Sequence, residues 1–366
     1  MIHAYQNKLS GKRIGIVFGT FAPLHQGHLD VIMRAKKECD GGCVVIVDGR
    51  ANDRGGNKMP IQKRYRYVRE FFSDDEMVAV YGVNESELGI DPYPNGWDKF
   101  LIEVLCLFAE GVEGDPIPVF YVAEEEYASH LRVIGYNVVV VDRSENPISA
   151  TMIRQNPIKY WDKITYPFRR VFSTNILICG TASEGKTSLV RDLGKYFNAP
   201  YSHEYARDYM EESCVSEWEL DGADYFAFLD GQYRMNKNLI NSPSNHGIFF
   251  ADSDSMTTKL YAKCYSQDPQ LPLTGEEYKS IAIAADAITA KCKWDKIYLL
   301  CPHGRFVDDH SRYMAYCGMD ERHAQFEILC DIIKESGNWS KVTILNGGYY
   351  NNFKTIVDDV KGIIEK

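Results

Sequence analysis

Residues 13–28 read RIGIVFGTFAPLHQGH, a short β-branched and apolar run that passes through a glycine-bearing turn to a pair of histidines. A second stretch, NILICGTASEGKTS at residues 175–188, repeats this order: an apolar run, a glycine-rich turn and the start of an amphipathic helix. Short apolar strands that are each followed by a helix are typical of parallel α/β units. Both stretches therefore predict an α/β chain built from two units with mainly parallel sheets.

Other segments continue this alternation of strands and helices. The amphipathic segments Ile61–Phe72 and Gly96–Glu110 are expected to be helices. The remaining short apolar runs are expected to be strands: Cys43–Asp48, Met77–Tyr81, Pro118–Val122, Asn137–Asp142, Gly247–Ala251, Lys296–Cys301 and Lys341–Asn346.

Length and charge limit the class of protein. The 366 residues predict two domains, 1–165 and 166–366, with Gln155–Thr174 as a connector whose aromatic residues favour packing. The formal net charge of -10 argues against broad contact with nucleic acid, which requires a basic face. Small phosphorylated ligands are compatible with it, because a few local cations and backbone amides can bind them. Small molecules are therefore the expected partners, and a homo-oligomer is compatible with the sequence.

The ten cysteines are scattered, and no stretch is long and apolar enough to span a bilayer. Cys39 and Cys43 form a close pair, but no second pair or nearby histidine completes a zinc site. A helix end and a strand start are the expected positions of these two residues. Reduced thiols and a cytoplasmic location, with no membrane partner, are the resulting expectation.

The turn Gly19–His28 holds the first candidate site. Its glycine permits close approach of a ligand, and His25 and His28 are expected at the start of a helix from His28, where amides favour anions. Two imidazoles there can stabilise charge that develops at an α-phosphorus during transfer. The string resembles the HxGH signature of the nucleotidyltransferase superfamily, which implies a Rossmann-like fold. Contacts to phosphate are expected from Gly19, Thr20 and Phe21.

A second element is ISATMIR at residues 148–154, which resembles the ISxTxxR motif of the same superfamily. Ser149 can cap a helix, which would place free amides, the Thr151 hydroxyl and the Arg154 guanidinium around a phosphate tail. By itself the segment also fits an ordinary capped helix. If the acceptor is a phosphate, its ionised oxygen attacks ATP directly. Charge stabilisation by His25, His28 and Arg154 is then the expected catalytic contribution.

One aromatic residue, Trp97, is a candidate for binding the acceptor substrate. The segment DPYPNGW at residues 91–97 places Trp97 at the start of a helix, where it can stack on a flat cationic ring or pack in the core. Four further charged residues fit either a pocket or solvated surface: Asp48, Asp53, Arg54 and Arg66.

The second turn, GTASEGKT at residues 180–187, fits the pattern G-x-x-x-x-G-K-[ST], and it follows a strand and opens a helix, as a P-loop does. Loop amides would cradle ATP phosphates, Lys186 would reach the outer oxygens and Thr187 would ligate Mg²⁺. Glu184 is unusual, since an acid in an anion cradle is expected to point its carboxylate outward. The predicted ATP-binding set is Gly180, Gly185, Lys186, Thr187 and Ser188.

Acidic residues supply other parts of a phosphoryl-transfer site. Asp252 ends a predicted strand, as suits a ligand of Mg²⁺. Glu204 would follow another strand and face the acceptor hydroxyl, whose proton a carboxylate can accept. The sequence does not choose between Glu204 and Asp252 as the base. Further along, Asp308 and Asp309 can hold ribose hydroxyls while Arg305 or Arg312 covers the transferred phosphoryl group; a charged surface loop is the alternative.

With both sites in view, the chain resembles the NadR family, which joins a nicotinamide-nucleotide adenylyltransferase to a ribosylnicotinamide kinase. The resemblance runs from about Lys12 to the C-terminus. It rests on short segments in order: GTFAPLHQGH (19–28), DPYPNGW (91–97), ISATMIRQNP (148–157), the P-loop (180–187), EYARD (204–208), ADSDSMTT (251–258) and VDDHSR (307–312).

That resemblance implies a bifunctional NAD-salvage enzyme that uses ATP and Mg²⁺. The second half would phosphorylate the 5′-hydroxyl of ribosylnicotinamide, and the first would adenylylate the product to give NAD. Trp97 would then stack on nicotinamide, while Glu204, Tyr205, Asp308 and Asp309 would belong to the nucleoside pocket. Some relatives carry an N-terminal helix-turn-helix repressor domain, for which the residues before the first predicted strand leave no room.

Two other interpretations are open on the residues alone. One keeps a transferase and a kinase but changes the substrates to another phosphomonoester, such as phosphopantetheine, and an unrelated nucleoside; Trp97 argues against it. The other is a non-enzymatic nucleotide sensor, a role that would not require His25, His28, Lys186 and Thr187 to be intact.

Overall fold

The computed structural model describes residues 8–50, 59–142, 147–304, 306 and 313–364. The chain divides into two compact units, residues 1–172 and 173–366, each built around its own parallel sheet. In the part of the chain so described, no helix is long and apolar enough to cross a membrane. All ten cysteines lie within the described residues and carry free thiols.

The first unit alternates strands and helices. Its strands are β1 (Arg13–Gly19), β2 (Cys43–Gly49), β3 (Val78–Asn84), β4 (Ile117–Val122) and β5 (Asn137–Val140). Its helices are α1 (Gln26–Glu38), α2 (Ile61–Phe71), α3 (Trp97–Gly111), α4 (Glu125–Val133), α5 (Ala150–Gln155) and α6 (Tyr166–Phe172). The predicted strands are confirmed. Helix α1 begins at Gln26 rather than at His28, because His25 already has the extended backbone of an N-cap.

The sheet of this unit has the order β3-β2-β1-β4-β5, and all of its pairs are parallel. Strand β2 is buried from Cys43 to Val47, as expected for a central strand that helices cover on both faces. The chain leaves β1 on one side towards β2 and later returns on the other side as β4. A crevice outside the carboxyl ends of the strands at such a switch point is the usual ligand site of this fold.

The second unit follows the same plan. Its strands are β6 (Thr174–Gly180), β7 (Tyr201–Ser202), β8 (Ile248–Asp252), β9 (Lys296–Leu300) and β10 (Val342–Leu345). Its helices are α7 (Lys186–Phe197), α8 (Tyr205–Ser213), α9 (Gly222–Ile240), α10 (Ser255–Tyr265), α11 (Gly275–Thr289), α12 (Met319–Glu335) and α13 (Tyr349–Ile364).

Strand β6 is the centre of this second sheet, whose order is β10-β9-β6-β8-β7, again with parallel pairs. Alternate residues of β6 face two different apolar clusters: Leu177 packs with α9, α10 and α12, and Ile176 packs with α7 and α13. Helices therefore cover both faces. Two mainly parallel α/β units, the fold class expected from the sequence, are confirmed.

The connector predicted at Gln155–Thr174 is packed against the first unit. Trp161 is 3% exposed and Phe168 is fully buried, both in the core that also contains residues of β1 and α1. The hydroxyl and the backbone amide of Thr165 both donate to Leu24 O, at 3.1 and 3.3 Å. The segment therefore supports the loop that follows β1.

Candidate active sites

The first candidate site lies at the carboxyl end of β1. His25 caps α1 with φ -142° and ψ 171°, and only 1% of its surface is exposed. The ring of His28 stacks on that of His25, with the ring centroids 3.8 Å apart. Both imidazoles thus stand at the N-terminus of α1, where the free amides and the helix dipole attract anions.

Gly27 lets the two predicted motifs of this unit meet. A Cβ atom at this position would lie 3.1 Å from Cγ2 of Ile148 and 3.2 Å from Cε1 of His25. A larger residue would push α1 away from the segment that leads into α5. Ser149 caps α5 as predicted, since its hydroxyl accepts the Met152 amide at 3.2 Å.

Arg154 joins the far end of the unit to the loop after β1. Its Nη1 donates to Ala22 O at 2.7 Å, and its Nη2 donates to the Thr151 hydroxyl at 3.0 Å. These contacts turn the guanidinium towards the loop that leads to His25 and the start of α1. The structure therefore joins α5 to a loop that is 132 residues away in the chain.

A buried cation that was not predicted supports the same loop. Arg64 is 2% exposed on α2, and its guanidinium donates to Thr20 O and, at 2.7 Å, to Asp48 O. The Thr20 hydroxyl donates to the Asp48 carboxylate at 3.2 Å. Arg64 therefore ties the ends of β1 and β2 together. The signal available in the sequence was its place on the apolar face of α2, one turn from Ile61 and from Val68.

Trp97 is the first residue of α3 and is 8% exposed. Its ring stacks on Tyr127 with centroids 5.3 Å apart and an angle of 6° between the planes. The Trp97 ring also makes edge contacts with Phe18, the next-to-last residue of β1, and with Tyr93. Burial raises the pKa of Tyr93 to about 12. The structure thus places Trp97 in an aromatic cluster beside the end of β1.

The second candidate site is the loop between β6 and α7. Gly180 has φ 150° and Gly185 has φ 77°, and only glycine adopts the first of these values without strain. The ammonium of Lys186 donates to Thr181 O across the loop at 2.7 Å. The hydroxyl of Thr187 donates to Oδ2 of Asp252 at 2.5 Å. A glycine-bearing loop therefore joins β6 to α7, as the P-loop pattern predicts.

Asp252 is 1% exposed at the end of β8, opposite Ile178 in the register with β6. Burial raises the pKa of its carboxyl group, and the charge of Lys186 opposes that rise. Ser253 has φ 71°, an unusual value that turns the chain sharply after β8. Asp254 then caps α10, and burial raises its pKa to about 6.

Glu204 lies beside a cleft that has about 520 Å³ of empty space, its open mouth included. Its carboxylate pairs with Arg207 at 3.2 Å. Tyr205 packs against α9 at Gly231, where a Cβ atom would lie 2.0 Å from the tyrosine ring, and it is not among the described residues that line the cleft.

The lining of this cleft holds residues that the sequence did not predict. Glu217 is 4% exposed, and its Oε2 accepts the Tyr265 hydroxyl at 2.9 Å and the Tyr313 amide at 2.6 Å. Four aromatic side chains line the same cleft: Tyr225, Phe228, Tyr261 and Tyr265. These residues come from helices α9 and α10 and the turn before α9, so no short motif contains them.

Glu184, the acid of this loop, is buried: its side chain is 0% exposed and pairs with Arg322 at 2.8 Å. Its partners come from the turn after β9 and from the first turn of α12. The expectation that its carboxylate points out of the anion cradle stays a prediction. A second cleft beside the loop is lined by Glu184, His303, Tyr349 and Asn352, among others.

Six residues named from the sequence lie outside the described residues: Asp53, Arg54, Arg305, Asp308, Asp309 and Arg312.

Within the described ranges, no group of three or more His, Cys, Asp or Glu side chains is arranged to hold a metal ion. Thr187 and Asp252 place two oxygen donors side by side at the mouth of the loop. Oxygen donors suit Mg²⁺, which in nucleotide sites takes few protein ligands and several from phosphate and water. These two residues therefore fit Mg²⁺ that arrives with a nucleotide.

Comparisons with known proteins match each unit separately. Residues 16–156 match a family model described as cytidylyltransferase-like, and residues 175–351 match one described as an AAA domain. The trifunctional NAD biosynthesis/regulator protein NadR of Salmonella typhimurium is 28% identical over 361 residues, which are 96% of this chain and 83% of that protein.

Two solved structures match nearly the whole chain. One is a crystal structure of NadR protein in complex with NR, 37% identical with a TM-score of 0.82 over 97% of both chains. The other is NadR protein in complex with NAD and AMP-PNP, 38% identical with a TM-score of 0.81 over 98% of both chains. Because identity and fold agree over both units and in the same order, this chain belongs to the NadR family.

Proposed function

We propose that this chain is a bifunctional NAD-salvage enzyme. Its second unit transfers the γ-phosphoryl group of ATP to the 5′-hydroxyl of ribosylnicotinamide. Its first unit transfers the adenylyl group of ATP to nicotinamide mononucleotide, which gives NAD and pyrophosphate. The observation that carries the proposal is that both units hold a strand-to-helix anion cradle, His25–His28 and Gly180–Thr187, in a chain of this family.

In the first unit the acceptor supplies its own nucleophile. An ionised oxygen of the mononucleotide phosphate attacks the α-phosphorus of ATP, the bond to the β-phosphate breaks, and pyrophosphate leaves. No proton has to move, so positioning and charge stabilisation carry the catalysis. The rings of His25 and His28 stack on each other, and Arg154 donates to Ala22 O in the loop that leads to them. We assign charge stabilisation to these three residues.

The remaining predicted residues of this site bind the two substrates. The loop after β1 offers amides, and the capped start of α5 offers others, to phosphate oxygens. Trp97 belongs to an aromatic wall beside the end of β1, which suits the flat cationic nicotinamide ring. We assign phosphate contacts to Gly19, Thr20, Phe21, Ser149 and Thr151.

In the second unit the P-loop holds ATP. Its amides and Lys186 bind phosphate oxygens, and Thr187 and Asp252 are the residues that would hold Mg²⁺. That ion, when bound, neutralises charge on the β- and γ-phosphates. The cleft beside the loop, with Tyr349 and Asn352 on its wall, offers a place for the adenine ring. Gly180, Gly185 and Ser188 complete the phosphate-binding set.

The position of Glu204 favours it over Asp252 as the base. Asp252 is engaged by the Thr187 hydroxyl, whereas Glu204 lies on the wall of the acceptor cleft. A base must lie within hydrogen-bond reach of the hydroxyl that it deprotonates. Glu204 accepts the 5′-hydroxyl proton as the oxygen attacks the γ-phosphorus, and ADP leaves. Arg207 pairs with this carboxylate at 3.2 Å.

Glu217 gives this cleft a preference for a cation. A buried carboxylate in a cleft that tyrosine and phenylalanine rings also line attracts a positively charged ring by direct charge and through the ring faces. The nicotinamide of ribosylnicotinamide carries such a charge, whereas ordinary nucleobases do not. Glu217 therefore selects the nucleoside.

The two activities are expected to separate by mutation. His28→Ala should lower NAD formation from the mononucleotide by about 100-fold or more, because a charge-stabilising donor is lost. Lys186→Ala should abolish phosphorylation of ribosylnicotinamide. Each variant should retain the other activity within about twofold, because the two activities are assigned to residues of different units. Product analysis by chromatography with each nicotinamide substrate measures both, and loss of both activities in either variant would contradict the two-site assignment.

The base and the metal ligand are expected to respond differently to magnesium. Asp252→Asn should raise the Mg²⁺ concentration needed for half-maximal kinase activity, and excess Mg²⁺ should restore much of the rate. Glu204→Gln should lower kcat by about 100-fold or more at every Mg²⁺ concentration, because the proton acceptor is lost. The measurement is kinase activity as a function of Mg²⁺ concentration. If excess Mg²⁺ restored the activity of Glu204→Gln, Glu204 would be the metal ligand and Asp252 the base.

Charge selection by Glu217 can be tested with two forms of one nucleoside. Glu217→Gln keeps an acceptor oxygen for Tyr265 and Tyr313 but removes the charge. The KM for ribosylnicotinamide should rise about tenfold, because a buried ion loses its partner. The KM for its dihydro form, whose ring is neutral, should stay unchanged. Tyr265→Phe is the matched control, and equal rises for both nucleosides would show that Glu217 only shapes the cleft.

A further inference from the structure

An acidic residue lies inside the loop that is proposed to bind ATP phosphates. Glu184 directly precedes the last glycine of the P-loop, and its side chain is fully buried. Its Oε1 lies 3.5 Å from the Thr181 hydroxyl, which belongs to the same loop. A carboxylate in this position would repel a triphosphate if its charge were not compensated.

The compensation comes from α12. Arg322 is 1% exposed, and its Nη1 donates to Oε1 of Glu184 at 2.8 Å. Its Nη2 donates to Gly304 O at 2.9 Å. The other carboxylate oxygen, Oε2, accepts the His303 amide at 3.0 Å. One ion pair thus connects the P-loop, the turn after β9 and the first turn of α12.

Other polar groups near this carboxylate do not replace Arg322. The imidazole Nδ1 of His303 lies 2.8 Å from Oε2, but that side chain is 43% exposed. Burial, and after it the charge of Glu184, raises the pKa of the Cys301 thiol, so this group adds no second negative charge. Among the described residues packed against Glu184, Arg322 is the buried, permanently charged cation.

We propose that Arg322 is a positioning residue of the kinase site, which neutralises Glu184 and holds its carboxylate away from the ATP phosphates. The inference rests on the kinase half of the proposed function and names a determinant of its ATP affinity. Because the same guanidinium binds Gly304 O, it also sets the wall of the cleft assigned to adenine. The pair is therefore expected to affect ATP and not the acceptor.

A structural role alone predicts a different pattern. If the pair only stabilised the fold, Arg322→Met would lower the stability of the unit and impair kcat and both KM values together, with no selective loss of ATP affinity. If the pair controls charge, Arg322→Met leaves an uncompensated anion under the phosphates, whereas Glu184→Gln removes that anion and keeps an acceptor for the His303 amide. The two single variants then behave unequally, and the double variant recovers.

The experiment measures the kinase KM for ATP, the KM for ribosylnicotinamide and kcat in the full chain. Arg322→Met should raise the KM for ATP by about tenfold or more, since a buried carboxylate loses its partner. The kcat at saturating ATP and the KM for ribosylnicotinamide should stay within about twofold of wild type. Glu184→Gln should change the KM for ATP by less than about twofold, and the double variant should return to within about threefold.

Further variants keep the test decisive. Arg322→Lys retains the charge and should restore most of the ATP affinity. Arg234→Met removes an exposed arginine of α9 that pairs with Asp230, and it should leave all values unchanged. If Arg322→Met does not fold, the double variant carries the test: a folded double variant with a normal KM for ATP supports the proposal. A double variant as impaired as Arg322→Met would overturn it.

Direct binding separates this inference from the proposed function. Calorimetric titration of the full chain with Mg-ATP, compared with Lys186→Ala, identifies the heat that belongs to the P-loop site. Arg322→Met should lose that component. If the wild type bound ATP there but did not phosphorylate ribosylnicotinamide, the proposed function would fail and the inference would stand. If Arg322→Met bound ATP at this site as tightly as wild type, the inference would fail.

Discussion

Parallel strand pairing is the constraint on which both units depend. Parallel neighbours cannot be joined by a tight hairpin, so the chain crosses over through a helix and every strand ends at the same edge of its sheet. In the second unit this places Asp252, at the end of β8, opposite Ile178 of β6 and within hydrogen-bond distance of Thr187. In the first unit, the loop after β1 meets Arg154 for the same reason. The candidate sites lie where the strands end.

Each site also contains a buried charged side chain beside its ligand-binding loop. Removing an ion from water is costly unless hydrogen bonds or an opposite charge replace the solvent. Arg64 meets this requirement with the backbone carbonyls of Thr20 and Asp48, and so fixes the ends of two strands. Glu184 meets it with Arg322 and a backbone amide. In both cases the groups that compensate the buried charge come from a different segment of the chain.

An acidic chain can bind anionic substrates because the binding groups are local. The net charge of -10 belongs to the whole molecule, whereas a phosphate responds mainly to the amides and cations within a few ångströms. Helix N-termini provide those amides at α1 and α7, and His25, His28 and Lys186 lie beside them. The role proposed for Glu217 has the opposite sign, since this buried carboxylate would attract a cationic ring. The charge that a ligand meets therefore depends on the residues of its site and not on the net charge of the chain.

Local sequence was enough to predict the fold class, the two strand-to-helix turns and the residues within them, because these features depend on neighbours in the chain. His25, His28, Lys186 and Thr187 lie inside short motifs, and periodicity located the strands around them. Contacts between residues that are distant in the chain could be found only in the folded structure. Arg322 lies 138 residues from Glu184, and Tyr265 lies 48 residues from Glu217. The buried partner of Glu184 could not be predicted for this reason: a side chain turns towards the partner that packing brings to it, and local sequence does not contain that partner.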